Sequence, residues 1–247
     1  MTVEIPAWLD RVRDGAESIS VDQLTRFKPP EGAETRAGAT LMLFGEDEQG
    51  RGDLLLTERA HDMRSHPGQV SFPGGAQDPE DASSQAAALR EAEEETGLDP
   101  GGVRIFGRLP DLWLPPSNFS VTVHLGWWAE PSPVSVVDPA EVHAVLRVPI
   151  DELLDPANRF TVVGPSTFRS PGFWIGEQKD LLLWGFTAGV ISRLFDHVGW
   201  TRPWDRDREE KLPEHMLGGR ERRRADGSLI EAADIDVPQP NTSFQGD

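Results

Sequence analysis

The chain opens with a helical rhythm of apolar residues over 7–16, then runs through Pro29-Pro30 into a series of short apolar stretches. Residues 37–44 and 53–58 are apolar runs of strand length, and the polar stretch 45–52 between them predicts a hairpin. Residues 69–72 read as a short strand feeding Phe72-Pro73-Gly74-Gly75, a turn whose glycines let backbone come close to a ligand. Further strands are expected over 103–109 and 121–129, separated by a proline-rich loop at 112–117. Another strand over 140–148 leads to a helical turn at 150–154, and short β pieces follow at 161–163, 167–169 and 173–174. Residues 179–198 read as one long helix with Leu183, Phe186, Thr187, Val190, Ile191 and Leu194 on a single stripe. From 205 to 247 large apolar residues thin out while Gly and Pro recur, which predicts a flexible tail. The pattern is that of an α+β layered domain over 36–204, preceded by the N-terminal helix and connection of residues 1–35.

One helix departs from ordinary amphipathic design. It carries Glu91, Glu93, Glu94 and Glu95 within about one turn, although like charges three and four apart repel by roughly 0.2–0.5 kcal/mol per pair. At about 100° per residue, and with Glu91 at zero, Glu95 falls at about 40° and Glu94 at about 300°. These three carboxylates share an arc, whereas Glu93 faces solvent and Ala88, Leu89, Ala92 and Thr96 form the face to bury. Arg90 flanks the carboxylates, where it can fix a rotamer by hydrogen bonding. Gly97 suits a left-handed C-cap. A cation makes such an arrangement useful, and hard oxygen ligands on a rigid helix suit Mg²⁺ or Mn²⁺. Arg59, Arg64 and His66, just ahead of the glycine turn, form a cationic cluster; with the carboxylates they describe a site for a diphosphate.

The run Arg90-Glu91-Ala92-Glu93-Glu94-Glu95-Thr96-Gly97-Leu98 resembles the second half of the Nudix box, REUxEExGU with U aliphatic. The first half departs from the common box: Gly75 precedes Asp81 where a glutamate is usual, and the gap to Arg90 is one residue longer. Leu55-Leu56-Thr57-Glu58-Arg59-Ala60, then Arg64, Gly68 and Phe72-Pro73-Gly74-Gly75, resembles the signature of the coenzyme A pyrophosphatase subfamily. So does Leu183-Trp184-Gly185-Phe186-Thr187-Ala188 downstream. Ser117-Asn118-Phe119-Ser120-Val121-Thr122-Val123 departs from that subfamily by Asn118 in place of glycine and Val123 in place of proline; Asn118 can still turn left-handed.

The resemblance covers residues 36–195 and implies a Nudix-type α/β/α sandwich with a mixed β-sheet, plus the C-terminal flexible tail. It implies a metal-dependent diphosphatase of coenzyme A or acyl-coenzyme A, releasing 4′-phosphopantetheine (or its acyl form) and adenosine 3′,5′-bisphosphate. Glu91 and Glu95 are the expected metal ligands, with Gly75 offering a carbonyl and Glu94 either a third ligand or the base. Arg90 orients rather than reacts; Arg59, Arg64, His66 and Gly74 are the expected substrate contacts. Two alternatives stand beside this: a Nudix pyrophosphatase for NADH or ADP-ribose, and a non-catalytic nucleotide-binding regulator. The second typically lacks a box glutamate, and here those of the second half, Glu91, Glu94 and Glu95, are all present.

Composition narrows the classes. The 247 residues include no cysteine, so disulfides, thiolate metal sites and cysteine nucleophiles are excluded. A net charge of −18 argues against nucleic-acid or anionic-membrane binding. It does not bar a polyanionic small molecule, since exposed charges are screened over about 10 Å. The start lacks the layout of a signal peptide, and the longest apolar stretch, 181–195, is too short and mixed to span a bilayer. The expected compartment is the cytoplasm and the expected partner a nucleotide of coenzyme A type. Trp113, Trp127, Trp128, Trp174 and His124 are read as structural, and Asp78 and Asp81 as caps of the acidic helix.

Overall fold

A computed structural model of the chain describes residues 4–63, 67–115, 117–164 and 168–213, with two short strands at 222–223 and 229–230. The expected N-terminal helix is α1 (Asp10–Ser18), and a short α2 (Val21–Leu24) that the sequence pattern does not predict follows it. Strands β1 (Arg36–Glu46) and β2 (Gly52–Arg59) form the expected hairpin, antiparallel with Leu43 opposite Leu55 and Glu46 opposite Gly52. Then follow β3 (Val70–Ser71), β4 (Gly74–Ala76) and the acidic helix α3 (Ser84–Thr96). Next are β5 (Val103–Arg108), β6 (Leu112–Leu114), β7 (Phe119–Trp128), β8 (Val142–Pro149) and α4 (Ile150–Leu154). The order closes with β9 (Arg159–Val163), β10 (Arg169–Ile175), β11 (Leu181–Trp184), α5 (Gly185–His197), β12 (Glu209–Lys211), and a pairing of β13 (Arg222–Arg223) with β14 (Leu229–Ile230).

The main sheet runs β3-β2-β1-β7-β5, with β4 on β1, β6 on β7 and β8 on β2. It is mixed: β1 and β7 are parallel and the other pairs antiparallel. Alternation along β1 sends Leu41 and Leu43 to one face and Met42 and Phe44 to the other. The first face packs on α3 through Ala87, Ala88 and Ala92; the second packs on α1 and α5. The result is the expected α/β/α arrangement. A second sheet, β11-β10-β9-β12, extends the α5 side.

One feature of this topology creates the site. Beyond the Leu43–Leu55 pair, β1 and β2 part, and the segment 70–76 fills the gap. Its first half pairs with β2 (Ser71 opposite Thr57) and its second with β1 (Gly74 opposite Thr40). Pro73 O accepts from Leu41 N at 2.9 Å in between. The glycine turn is thus a strand wedged into the sheet, delivering the chain to α3.

Four expectations are corrected. Residues 181–184 are strand rather than the start of a long helix. Leu182, Leu183 and Trp184 are all buried, and φ of +75° at Gly185 separates strand from helix. An apolar run of four cannot be told from a helical turn by periodicity. The loop at 112–117 contains β6, which finds its hydrogen bonds on β7. The tail expected from 205 begins instead with ordered chain: β12 pairs parallel with β9, and Leu212 is buried. Ser83, not Asp78 or Asp81, caps α3, accepting from Ala86 N at 3.1 Å. The turn at Asn118 is left-handed as expected, with φ of +56°.

Candidate active site

Helix α3 brings small residues to the sheet, which seats it close to β1 and β4. Gly97 ends it in the left-handed region, φ 70° and ψ 13°. On the edge facing β4 lie Glu91 and Glu95. Glu95 is 8% exposed, and its Oε2 accepts a hydrogen bond from Gly74 N at 3.3 Å. Glu91 is half-buried with its carboxylate over Gly75: a Cβ on Gly75 would stand 2.6–2.7 Å from the carboxylate atoms. Gly74 has φ of +151°, and a Cβ there would strike Ala39 O and the Thr40 backbone. One glycine therefore clears the sheet and the other clears the carboxylate. A side chain at Gly75 would push α3 from β4, and one at Gly74 would push β4 from β1.

Burial sets the electrostatics. Glu95 is pushed up to about 7, first by loss of solvent and then by the neighbouring charge of Glu91, against the opposing Gly74 N–H and Arg59. Glu141 adds to the upward push. Glu91 is also raised, again chiefly by burial, with Arg90 opposing. Glu91 has Arg90 beside it, whereas the more deeply buried Glu95 has a single backbone donor, so the protein itself leaves the pair under-compensated. An all-oxygen donor set of this kind fits a hard divalent cation.

Arg90 organises the outer edge. Its Nε and Nη2 donate to the two oxygens of Asp81 at 3.1 and 3.0 Å, its Nη1 to Glu91 at 3.0 Å and Glu94 at 2.9 Å, and its Nη2 to Ala76 O at 3.2 Å. The guanidinium's own pKa is raised, most by Asp81. It ties α3, the loop before it and β4 into one unit. Spacing alone does not show the bidentate role of Asp81; its place where the box usually has glutamate is the signal for it.

The expected residues are only partly brought together. Glu91 and Glu95 reach the glycine strand. Glu94 stays at the outer edge, its side chain 59% exposed and held by Arg90, and the three carboxylates do not come within 4.8 Å of one another. Arg59 lies at the end of β2, within the field of Glu95, with Nη2 on Met63 Sδ at 3.2 Å. Its buried Nε finds no partner among the described residues. Arg64 and His66 lie outside the described residues. His124 is buried with Nε2 3.0 Å from Ser84 Oγ, a structural contact as expected. Trp128 is buried in the core beneath α3.

A NUDIX domain model matches residues 34–163 of this chain. The chain is similar to an uncharacterized Nudix hydrolase NudL of Enterobacter sp. (strain 638), 41% identical over 150 residues, or 59% of this chain and 75% of the relative. NudL of Escherichia coli K12, likewise uncharacterized, is 37% identical over 146 residues, with the same shares of 59% and 75%. Looser likenesses in shape include a Nudix hydrolase from M. smegmatis, RenU, with a TM-score of 0.48 and 19% identity over 70% of this chain and 91% of that one. The NUDIX domain of Shewanella oneidensis NrtR complexed with ADP ribose has a TM-score of 0.41 and 18% identity over 55% of this chain and 86% of that one. Among the described residues no helix is long and apolar enough to cross a membrane. With the family match spanning more than half of its length, the chain belongs to the Nudix family and is a hydrolase of phosphorus anhydrides in nucleoside diphosphate derivatives.

Proposed function

We propose that the substrate is coenzyme A or an acyl-coenzyme A, cut to 4′-phosphopantetheine (or its acyl form) and adenosine 3′,5′-bisphosphate. The observation that carries this reading is the placement of Arg59. The signature-like run Leu55–Ala60 ends β2 with a guanidinium whose Nε is unpartnered among the described residues, beside the carboxylate site. An anionic group of the substrate would pair with this half-buried guanidinium, and coenzyme A has both a diphosphate and a 3′-phosphate to offer. Arg64 and His66 belong to the same proposal through the signature, as does the backbone of Gly74.

Glu91 and Glu95 would hold a divalent cation of the Mg²⁺ or Mn²⁺ kind, with the Gly75 carbonyl beside them. When bound, such a cation supplies Lewis-acid charge to the diphosphate oxygens and lowers the pKa of a water. The chain's residues do the rest. Arg90 holds Glu91 in its rotamer and keeps β4 against α3, so the ligand geometry is set before substrate arrives. Glu94 stands at the water-exposed edge, where it takes the proton of the attacking water or lends a third oxygen. The diphosphate bond breaks as the new phosphorus–oxygen bond forms, and each half leaves as a phosphomonoester.

The test is hydrolysis of coenzyme A, 3′-dephospho-coenzyme A, NADH and ADP-ribose side by side, with Mg²⁺ or Mn²⁺ and with chelator. Release of adenosine 3′,5′-bisphosphate with coenzyme A the preferred substrate supports the proposal. Preference for NADH or ADP-ribose would keep the Nudix chemistry and discard the coenzyme A assignment.

A further inference from the structure

A second convergence of ligating side chains lies at the far end of β2 and does not enter the chemistry above. Glu58, His61 and His143 each bring one ligand atom to a place where all three atoms lie within 4.8 Å of one another. The Glu58 side chain is only 7% exposed, and its Oε1 stands 3.1 Å from His61 Nε2. The His61 and His143 rings meet edge to face with centroids 4.6 Å apart.

The backbone explains why residues so distant in sequence meet here. The β2–β8 pairing is regular up to Glu58 opposite Ala144, then slips so that Arg59 faces Val142. His143 is the extra residue of that β-bulge, and a bulge re-aims the side chain it carries. His61 lies in the turn that leaves β2. This turn is fastened by Ala60 N to Glu141 O at 2.9 Å and by Gly68 N to Arg59 O at 3.2 Å. Gly68, with φ of +63°, packs directly on the imidazole: a Cβ there would stand 2.9 Å from His61 Nδ1.

A lone His–Glu pair is an ordinary hydrogen bond. Two imidazoles converging on one buried carboxylate are a different donor set. In a tetrahedral zinc site with bonds of about 2.0–2.1 Å, ligand atoms stand roughly 3.3 Å apart. The Glu58–His61 spacing of 3.1 Å is close to this. Two nitrogens and one oxygen suit Zn²⁺ and its neighbours in the first transition row, while the all-oxygen set on α3 suits Mg²⁺ or Mn²⁺. Both histidines are exposed, so the site is open to solvent for entry of the ion and for a water as fourth ligand.

We propose that Glu58, His61 and His143 form a binding site for one imidazole-preferring divalent transition-metal ion of the Zn²⁺ type, separate from the carboxylate site on α3. The ion fastens the turn leaving β2 to the bulge of β8.

Cobalt and zinc provide the test, used with the full-length untagged chain after chelator treatment. Titration with Co²⁺ is expected to give visible d–d absorption of a nitrogen-ligated, low-coordinate ion at one equivalent, which one equivalent of Zn²⁺ abolishes. The double variant His61→Ala/His143→Ala is expected to lose this absorption and one equivalent of Zn²⁺, with Mg²⁺-dependent hydrolysis unchanged. Glu91→Gln/Glu95→Gln is expected to keep the absorption. Where the double variant proves unstable to heat in chelator, the single His143→Ala, at an exposed position, gives the same reading. Absorption missing from the wild type, unaltered by loss of the histidines, or abolished by the α3 variant would overturn the proposal.

Discussion

Helices α3 and α5 each span 13 residues and lie on opposite faces of the same sheet, yet they are built on different terms. Helix α5 buries Val190, Ile191, Leu194 and Phe195 against Phe173, Ile175 and Leu183. Full burial of such side chains stabilises by about 1.5–3 kcal/mol each relative to exposure. Helix α3 buries three alanines and a threonine, and spends its remaining inward position on Glu95. The alanines allow close approach to β1 and β4, which brings Glu91 and Glu95 to the two glycines. The difference teaches that one face of the sheet holds the domain together while the other holds charges that a stable fold would otherwise avoid.

The sharpest break in that comparison is Glu95→Gln. Metal-dependent turnover is expected to fall by about 10²–10⁴-fold, since the proposed site would lose one oxygen and its charge. The metal-free melting temperature does not fall. Steady-state rates and a thermal melt in chelator check both halves; unchanged turnover would remove Glu95 from the site.

The converse change is Leu194→Ala on α5. It is expected to cost about 2–5 kcal/mol of stability by opening a cavity in a fully buried position. Turnover per folded molecule stays at the wild-type value well below the melting point. Denaturant titration and kinetics at low temperature read the two effects separately.

The buried charge gives a pH-dependent version of the same contrast. Glu95 is raised from 4.5 to about 7 in the fold, so burying it is harmless below pH 4.5 and destabilises increasingly as pH rises through 7. The ceiling on that cost is roughly 3 kcal/mol. In chelator, Glu95→Gln is therefore expected to melt higher than wild type at pH 8 and at the same temperature at pH 4.5. A constant difference across that range would contradict the assigned shift.

The smallest effect is expected from Arg90→Lys. An ammonium cannot hold both oxygens of Asp81 while reaching Glu91, Glu94 and Ala76 O. Loss of an orienting partner behind a metal ligand costs about 10–100-fold in metal affinity or activity. The expected signature is a higher metal concentration for half-maximal rate; an unchanged metal requirement would make the Arg90 network merely structural.

How much of this was legible in the sequence depends on the range of the interactions involved. The carboxylate arc of α3 follows from helical spacing alone, and so does the left-handed cap at Gly97. The β1–β2 hairpin follows from two apolar runs and a polar turn. Leu181–Trp184 reads as helix from sequence because its partners, β10 and the core under α5, lie outside any local window. β12 was missed because Glu209, Glu210 and Lys211 carry no apolar signal; their strand exists only because β9 offers an edge. In the site, the sequence put Glu91, Glu94 and Glu95 on one arc, but solvent and Arg90 drew Glu94 outward.

By itself, then, the sequence determined the family, the carboxylate arc of the box helix and the elements whose periodicity is local. The tertiary structure alone decided which carboxylates are dehydrated, because burial depends on how closely β4 seats against α3. It alone made Asp81 the partner of Arg90, nine residues along the chain, and brought His143 to Glu58 and His61 through a slip in strand pairing. The physical reason is common to all three. Desolvation, charge pairing and register are properties of neighbours in space, and residue order specifies those neighbours only after the sheet has formed.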